Sequence, residues 1–188
     1  MSDANIDPAA TSAGAATALP AGKWTLDPGN SRAEFAVKHF WGLVTVRGHF
    51  NEIAGELSID PAGAVAGELR IDAASVDTGN KQRDKHLRSA DFFGVEKHPQ
   101  VVFKPSAVRR VDGSGLEMAG RLAIAGHEEP VTLSLDASHS AAVLTLRATT
   151  AVDRRVFGMN WRPLGIAHND ATLTVEAQLT QTAGPPSL

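Results

Sequence analysis

"VTVRGHFNEIAGELSID", residues 44–60, alternates in character almost without a break. Val44, Val46, Gly48 and Phe50 fall on one face, with Thr45, Arg47 and His49 on the other. After a short polar step, Ile53, Leu57 and Ile59 stand against Glu52, Glu56 and Asp60. Successive side chains of an extended chain point to opposite faces, so period two predicts strands with one apolar and one wet side. Outward from this stretch the pattern repeats. Upstream, "RAEFAVKH" (32–39) places Ala33, Phe35, Val37 and His39 together, away from Glu34 and Lys38. Downstream, Leu69 and Ile71 alternate with charged residues. So do Leu116, Met118, Leu122 and Ile124; then Val131, Leu133 and Leu135; then Leu144, Leu146 and Ala148; and finally Leu173, Val175 and Leu179. Antiparallel strands with one solvated face read this way, whereas a parallel sheet buried between helices gives continuous apolar runs. "DPGN", "DPAGAVAG", "DGSG" and "AGHEEP" separate the runs and have the composition of short turns. Eight or nine strands result, and either a sandwich or a closed barrel accommodates them. Aromatic residues make up only 5 %, and Ala33, Gly48, Ala148 and Ala177 occupy apolar-face positions. Those small residues favour a barrel with interior space, or else they ease strand twist and close packing.

Composition removes several function classes. The chain has 188 residues and a net charge of −3, so no global basic field gathers nucleic acid. It contains no cysteine, which excludes disulfides, thiol catalysis and Cys-ligated metals. Its seven histidines show no metal spacing of the H-x-x-x-H kind, so neither a metal nor a cofactor is expected. Ser89 lies near His86 but outside a G-x-S-x-G context. No apolar run approaches the roughly 20 residues of a membrane-spanning helix. Residues 1–22 are rich in Ala, Ser, Thr and Pro, carry Asp3 and Asp7, and lack an apolar segment of secretory type. The expectation is a tail over 1–22, one domain over 23–180, a second tail over 181–188 and a cytoplasmic location.

Within "DTGNKQRDKHLRSADFFGVEKHPQVVF", residues 77–103, "TGNKQRDKHLRSADFF", residues 78–93, is the only stretch that breaks period two convincingly. Thr78 or Asn80 has the chemistry of a helix cap, and Asp84 stands four residues before Arg88, the spacing of an intrahelical ion pair. A short helix pinned to the rim by Leu87 and one or both of Phe92 and Phe93 is predicted. This segment resembles the diagnostic stretch of the YceI-like proteins. Four further segments are similar to that family in the same order: "WTLDPGNSRAEFAVKH", "TVRGHFNEIAGEL", "GRLAIAGHEEPVTLSL" and "DRRVFGMNW". The resemblance covers about Trp24 to Leu179. It implies an all-β fold, an extended antiparallel eight-stranded lipocalin-like barrel with a short helix in the loop after the fourth strand region. It also implies an apolar channel for a polyisoprenoid or similar long-chain lipid, with the insert as rim and lid.

On that reading the expected ligand contacts are Phe35, Val37, His39, Phe50 and Ile71 from the early strands, Arg83, His86, Leu87, Phe92 and Phe93 from the insert, and Phe103, Leu122 and Ile124 from later strands. His39 is either a polar contact for a head group or a core histidine bonded to backbone or water. Arg83 and Arg88 suit a phosphate, or else they tie the loop to a strand end. Of Phe92 and Phe93, one is expected at the lid and one in the core. Asp91 is expected to close a turn, and an Asp153–Arg bridge to bury Phe157 and Trp161 at a barrel end. Non-catalytic carriage of a lipid is the leading expectation. An enzyme using His39, His86 and rim carboxylates is the alternative, and a stress-related protein-binding barrel is the third. Oligomeric state is open, a homodimer included.

Overall fold

The computed structural model describes residues 19–39, 43–111, 115–161 and 167–182. Eleven strands form one sheet in which every pairing is antiparallel. They reduce to eight ring positions, because three positions are each built from two strands in line. Strand β1 (Gly22–Leu26) continues as β2 (Arg32–His39), β3 (Val44–Phe50) as β4 (Ile53–Ile59), and β5 (Val65–Asp72) as β6 (Val76–Asp77). Then come β7 (Gln100–Arg110), β8 (Leu116–Ile124), β9 (His127–Ser140), β10 (Val143–Asp153) and β11 (Ala167–Gln181), which pairs back onto both β1 and β2. That last pairing closes the barrel and leaves the ring without a free edge.

"DPGN" does not reverse the chain as a turn would. Asp27 accepts hydrogen bonds from the Gly29 N–H (2.9 Å) and from Asn30 Nδ2 (2.8 Å), winding one short 3₁₀ turn at Pro28–Asn30. The chain then resumes in the same direction along β11. Asp72 repeats the device before Ala73–Ser75, accepting from the Ala74 N–H at 2.7 Å. An aspartate that satisfies the amide two residues on can kink a strand without ending it. True reversals lie elsewhere, as at Ala125 and Gly126, whose φ values of 50° and 82° give the left-handed pair that a two-residue hairpin requires.

The inward rows are those read from the sequence, and they fuse into one core. Small residues on these rows have two uses. Ala33, Ala148 and Ala177 border interior space, whereas Gly48 lies under the ring of its cross-strand partner Phe35. A Cβ on Gly48 would come within 2.5 Å of that ring. Gly48→Val is therefore expected to push the Phe35 ring into the interior and lower uptake of any interior ligand. Ligand titration against wild type checks this, and unchanged uptake would show that the ring has another place to go.

One end of the barrel is sealed. Trp24 is 1 % exposed, and Leu144, Ile59, Val65 and Leu19 are buried in the same core. Trp24 Nε1 donates to the Pro20 carbonyl at 3.3 Å. The folded unit thus starts before the expected boundary at Lys23, and β11 runs through Gln181 at its other terminus. The opposite end carries the β2–β3, β6–β7, β8–β9 and β10–β11 connections. The third of these is a tight hairpin, and the second contains the only α-helix among the described residues, α1 (Lys81–Arg88).

Candidate functional site: a one-ended apolar cavity

Helix α1 forms where period two fails, and the local chemistry accounts for it. Asn80 is the cap, its side chain accepting from the N–H groups of Gln82 and Arg83 (both 3.1 Å). Asp84 does not pair with Arg88. It is buried, and its Oδ1 accepts from the Thr78 N–H (3.0 Å) and hydroxyl (2.5 Å). Arg83 Nε in turn donates to Thr78 Oγ1 (2.7 Å), and its Nη2 to the Thr78 carbonyl (2.9 Å). Arg88 reaches back to the carbonyls of Ala74 (2.7 Å) and Val76 (2.8 Å). The guanidinium groups that suit a phosphate thus hold the insert to the strand before it, because the carbonyls at a strand end need donors once the ladder stops. Ser89 Oγ donates to the His86 carbonyl at 2.7 Å, so it is a helix-end group.

Beneath this insert lies a cavity of about 300 Å³, enclosed chiefly by apolar side chains. That volume is at the lower end of the roughly 300–1,000 Å³ usual for ligand pockets. Twelve of the expected contacts border it: Phe35, Val37, Phe50, Ile71, Arg83, His86, Leu87, Phe92, Phe93, Phe103, Leu122 and Ile124. The thirteenth, His39, has a described backbone, paired with Val44 and Ala167, but its side chain lies outside the described residues. The cavity stops at Leu26, Leu57, Leu135, Leu146 and Leu179, short of the Trp24 seal. At the connection-bearing end its described lining includes exposed Trp161 and half-buried His86 and Phe92.

Two aromatic groups mark its depth. Phe35, Phe50 and Phe93 form a chain with centroids 5.7 and 5.6 Å apart, and Phe93 is buried. Nearer solvent, His86 meets the edge of Trp161 at 4.4 Å and of Phe92 at 5.1 Å, while Phe92 and Trp161 are 5.7 Å apart. The Phe pair therefore divides as expected, Phe93 into the core and Phe92 into the mouth. Asp91 does more than close a turn, since its Oδ2 faces His86 Nε2 at 3.0 Å and fixes the ring that the other two lean on.

Sequence reasoning missed the far side of this mouth. Trp161, expected to be buried, is 43 % exposed. Arg154 is the buried residue there, and its two Nη atoms donate to the Trp161 carbonyl at 3.2 and 3.1 Å. Trp161, Arg154, Phe157 and Met159 all border the cavity. The signal was present in "DRRVFGMNW", but period two stops at Asp153 and gives no facing for the residues beyond it. Leu133, Leu146, Val152, Leu173 and Val175 also border the cavity. Their inward facing was legible, and only their height along the strands was not.

The segment is anchored by Asp153, which accepts from the Arg155 N–H (2.9 Å) and from its guanidinium (2.5–3.0 Å). Hydrogen bonds from the Arg155 side chain, then from its backbone N–H, hold the Asp153 carboxyl at about 2, below its ordinary 3.8. A carboxyl whose folded-state value is depressed stabilises above its unfolded value and loses that contribution as pH falls through the folded one. Amide exchange over residues 154–161 is thus expected to be slow near pH 5 and to quicken, relative to other loops, between about pH 4 and pH 2. In Asp153→Asn that relative quickening should disappear. An identical profile in the variant would show that another group controls the segment.

The YceI-like domain family matches residues 24–179. This chain belongs to the YceI-like family. Curated relatives include a UPF0312 protein of Pectobacterium atrosepticum, 38 % identical over 102 residues (53 % of this chain, 52 % of the relative). One from Vibrio cholerae is 34 % identical over 104 residues, 54 % of each. The chain spans about half the length of these relatives in the matched regions. Among solved structures, BcnA of Burkholderia cenocepacia superposes with a TM-score of 0.74 at 24 % identity, over 81 % of this chain and 98 % of that one. A polyisoprenoid binding domain from Saccharophagus degradans, implicated in plant cell wall breakdown, superposes with a TM-score of 0.70 at 16 % identity, over 85 % and 98 %. At those identities the likeness is one of fold.

Proposed function

We propose that this YceI-like barrel binds one long-chain apolar lipid of polyisoprenoid type, without transforming it, the tail running inward from the α1 end and the polar head remaining at the mouth. The observation that carries the reading is the one-ended cavity, apolar along its length, sealed at Trp24 and framed at its opening by His86, Phe92 and Trp161. Burial of each CH₂ is worth about 0.8 kcal/mol before association costs, so a chain laid along such walls gains affinity from its tail alone. The solved domain from Saccharophagus degradans, described as polyisoprenoid binding, supports the choice of ligand class through shared fold. Carriage rather than turnover is favoured because the one imidazole–carboxylate pair described at the mouth, His86 with Asp91, is packed in T-shaped contacts with Phe92 and Trp161.

Native mass spectrometry of freshly purified protein, followed by solvent extraction, tests this. The expected result is a near one-to-one adduct that releases an intact long-chain lipid, or uptake of geranylgeraniol by protein that carries none. Failure to take up any chain of that kind would overturn the binding reading. Steady conversion of the chain to a product would overturn its non-catalytic part.

A further inference from the structure

Among the described residues, the large hydrophobic side chains left exposed are Leu43 (84 %), Val44 (48 %), Val156 (47 %) and Trp161 (43 %). All four stand at the end of the barrel where the cavity opens. Val44 begins strand β3 and Leu43 precedes it, and Val156 and Trp161 lie in the segment that leads from β10 toward β11. Both places belong to the same end of the barrel, because β2 and β3 meet there at His39 and Val44 and β10 ends there at Asp153, paired with Asp170 of β11. Val44 prolongs the inward row of Val46 and Phe50 beyond the cavity, and Trp161 is at once cavity wall and exposed surface. The apolar interior therefore continues onto the outside as a lip at this end.

We propose that this lip docks the barrel, mouth down, on a phospholipid bilayer, so that the lipid ligand passes between membrane and cavity without crossing water. The proposal rests on the lipid-binding reading above. A bilayer fits better than a protein partner for two reasons. The apolar groups are exposed side chains carried by two separate connections of this end, which suits insertion into a soft interface rather than a shaped pocket. One of them is a half-exposed tryptophan, the side chain that settles at a membrane–water boundary. Charge adds little direction: exposed Lys81, Lys85 and Lys97 of the rim insert are interspersed with exposed Asp91 and Glu96. Docking by apolar insertion should thus be nearly indifferent to salt and to anionic lipid, unlike attachment through a basic patch.

The test uses the full chain, Leu43→Asp/Val156→Asp, and co-sedimentation with phosphatidylcholine vesicles, with and without a minority of phosphatidylglycerol. Neither substituted residue borders the cavity, so geranylgeraniol titration in vesicle-free solution reports cavity integrity independently. Wild type should sediment with both vesicle types at low and high salt. The double variant should lose vesicle affinity on the order of tenfold or more while binding geranylgeraniol as wild type does. Wild type that binds geranylgeraniol but ignores vesicles would overturn the docking and leave the cavity reading standing. So would equal sedimentation of the variant, or sedimentation confined to phosphatidylglycerol vesicles at low salt. Self-association of wild type that the variant abolishes would reassign the lip to a second copy of the chain. If vesicles bind wild type but geranylgeraniol does not, the exchange role falls together with the cavity reading.

Discussion

Trp24→Ala is expected to lower the melting temperature by roughly 6–20 °C. Truncating a buried Trp costs about 3–5 kcal/mol, and each kcal/mol moves the midpoint by about 2–4 °C in a domain of this size. Trp24 is 1 % exposed, donates to the Pro20 carbonyl and meets the edge of His139 at 5.8 Å. Its loss leaves a void in the buried core beside His139 that close-packed strands cannot collapse into. The void lies beyond the inner end of the cavity, so the variant should also shift its preference toward longer chains. Trp24→Phe, which keeps a ring and loses the donor, should recover most of the stability. Thermal melts and a chain-length series of prenols decide both parts. A small loss of stability with an unchanged length preference would mean that the seal lies elsewhere.

The Phe92 and Phe93 pair should give opposite results in two assays. Phe93 is buried and meets Phe50 at 5.6 Å. Phe93→Ala is therefore expected to cost about 3–5 kcal/mol of folding free energy. Phe92 is half-buried between His86 and Trp161 at the mouth. Phe92→Ala should cost less stability but weaken lipid binding by on the order of 1.5–3 kcal/mol, the value of one large apolar contact. Denaturant unfolding of the ligand-free variants and lipid titration of the folded ones separate the two effects. Heavy destabilisation in both variants with unaltered affinity per folded molecule would make the insert a plug rather than a lid.

Strand facing was legible because side-chain direction in an extended chain is a local property: Phe35 and Phe103 had to share a side with their neighbours two residues away, whatever the chain paired with. The same regularity explains why the strand contacts Phe35, Val37, Phe50, Ile71, Phe103, Leu122 and Ile124 border the cavity. The failure of that regularity over residues 78–93 also marked α1. Its polar partners were a different matter. Asp84 has the spacing to reach Arg88, yet Thr78 offers it a nearer backbone N–H and hydroxyl. Arg88 is left to satisfy carbonyls at 74 and 76, where the strand ladder ends.

By itself, then, the sequence determined the strand period, the inward rows, the helical insert and, through its ordered motifs, the family. Tertiary structure decided where the interior is open and where it is filled, because that depends on which rows meet at one height after closure. Gly48 looks like empty space in the chain and is covered by Phe35. "DPGN" reads as a turn and becomes a kink because β11 is long enough to pair with the strands on both sides of it. Trp161 looks like core and forms the lip of the mouth, since the segment after Asp153 has no strand partner to fix its facing and is held instead by Arg154, which donates to its carbonyl from below.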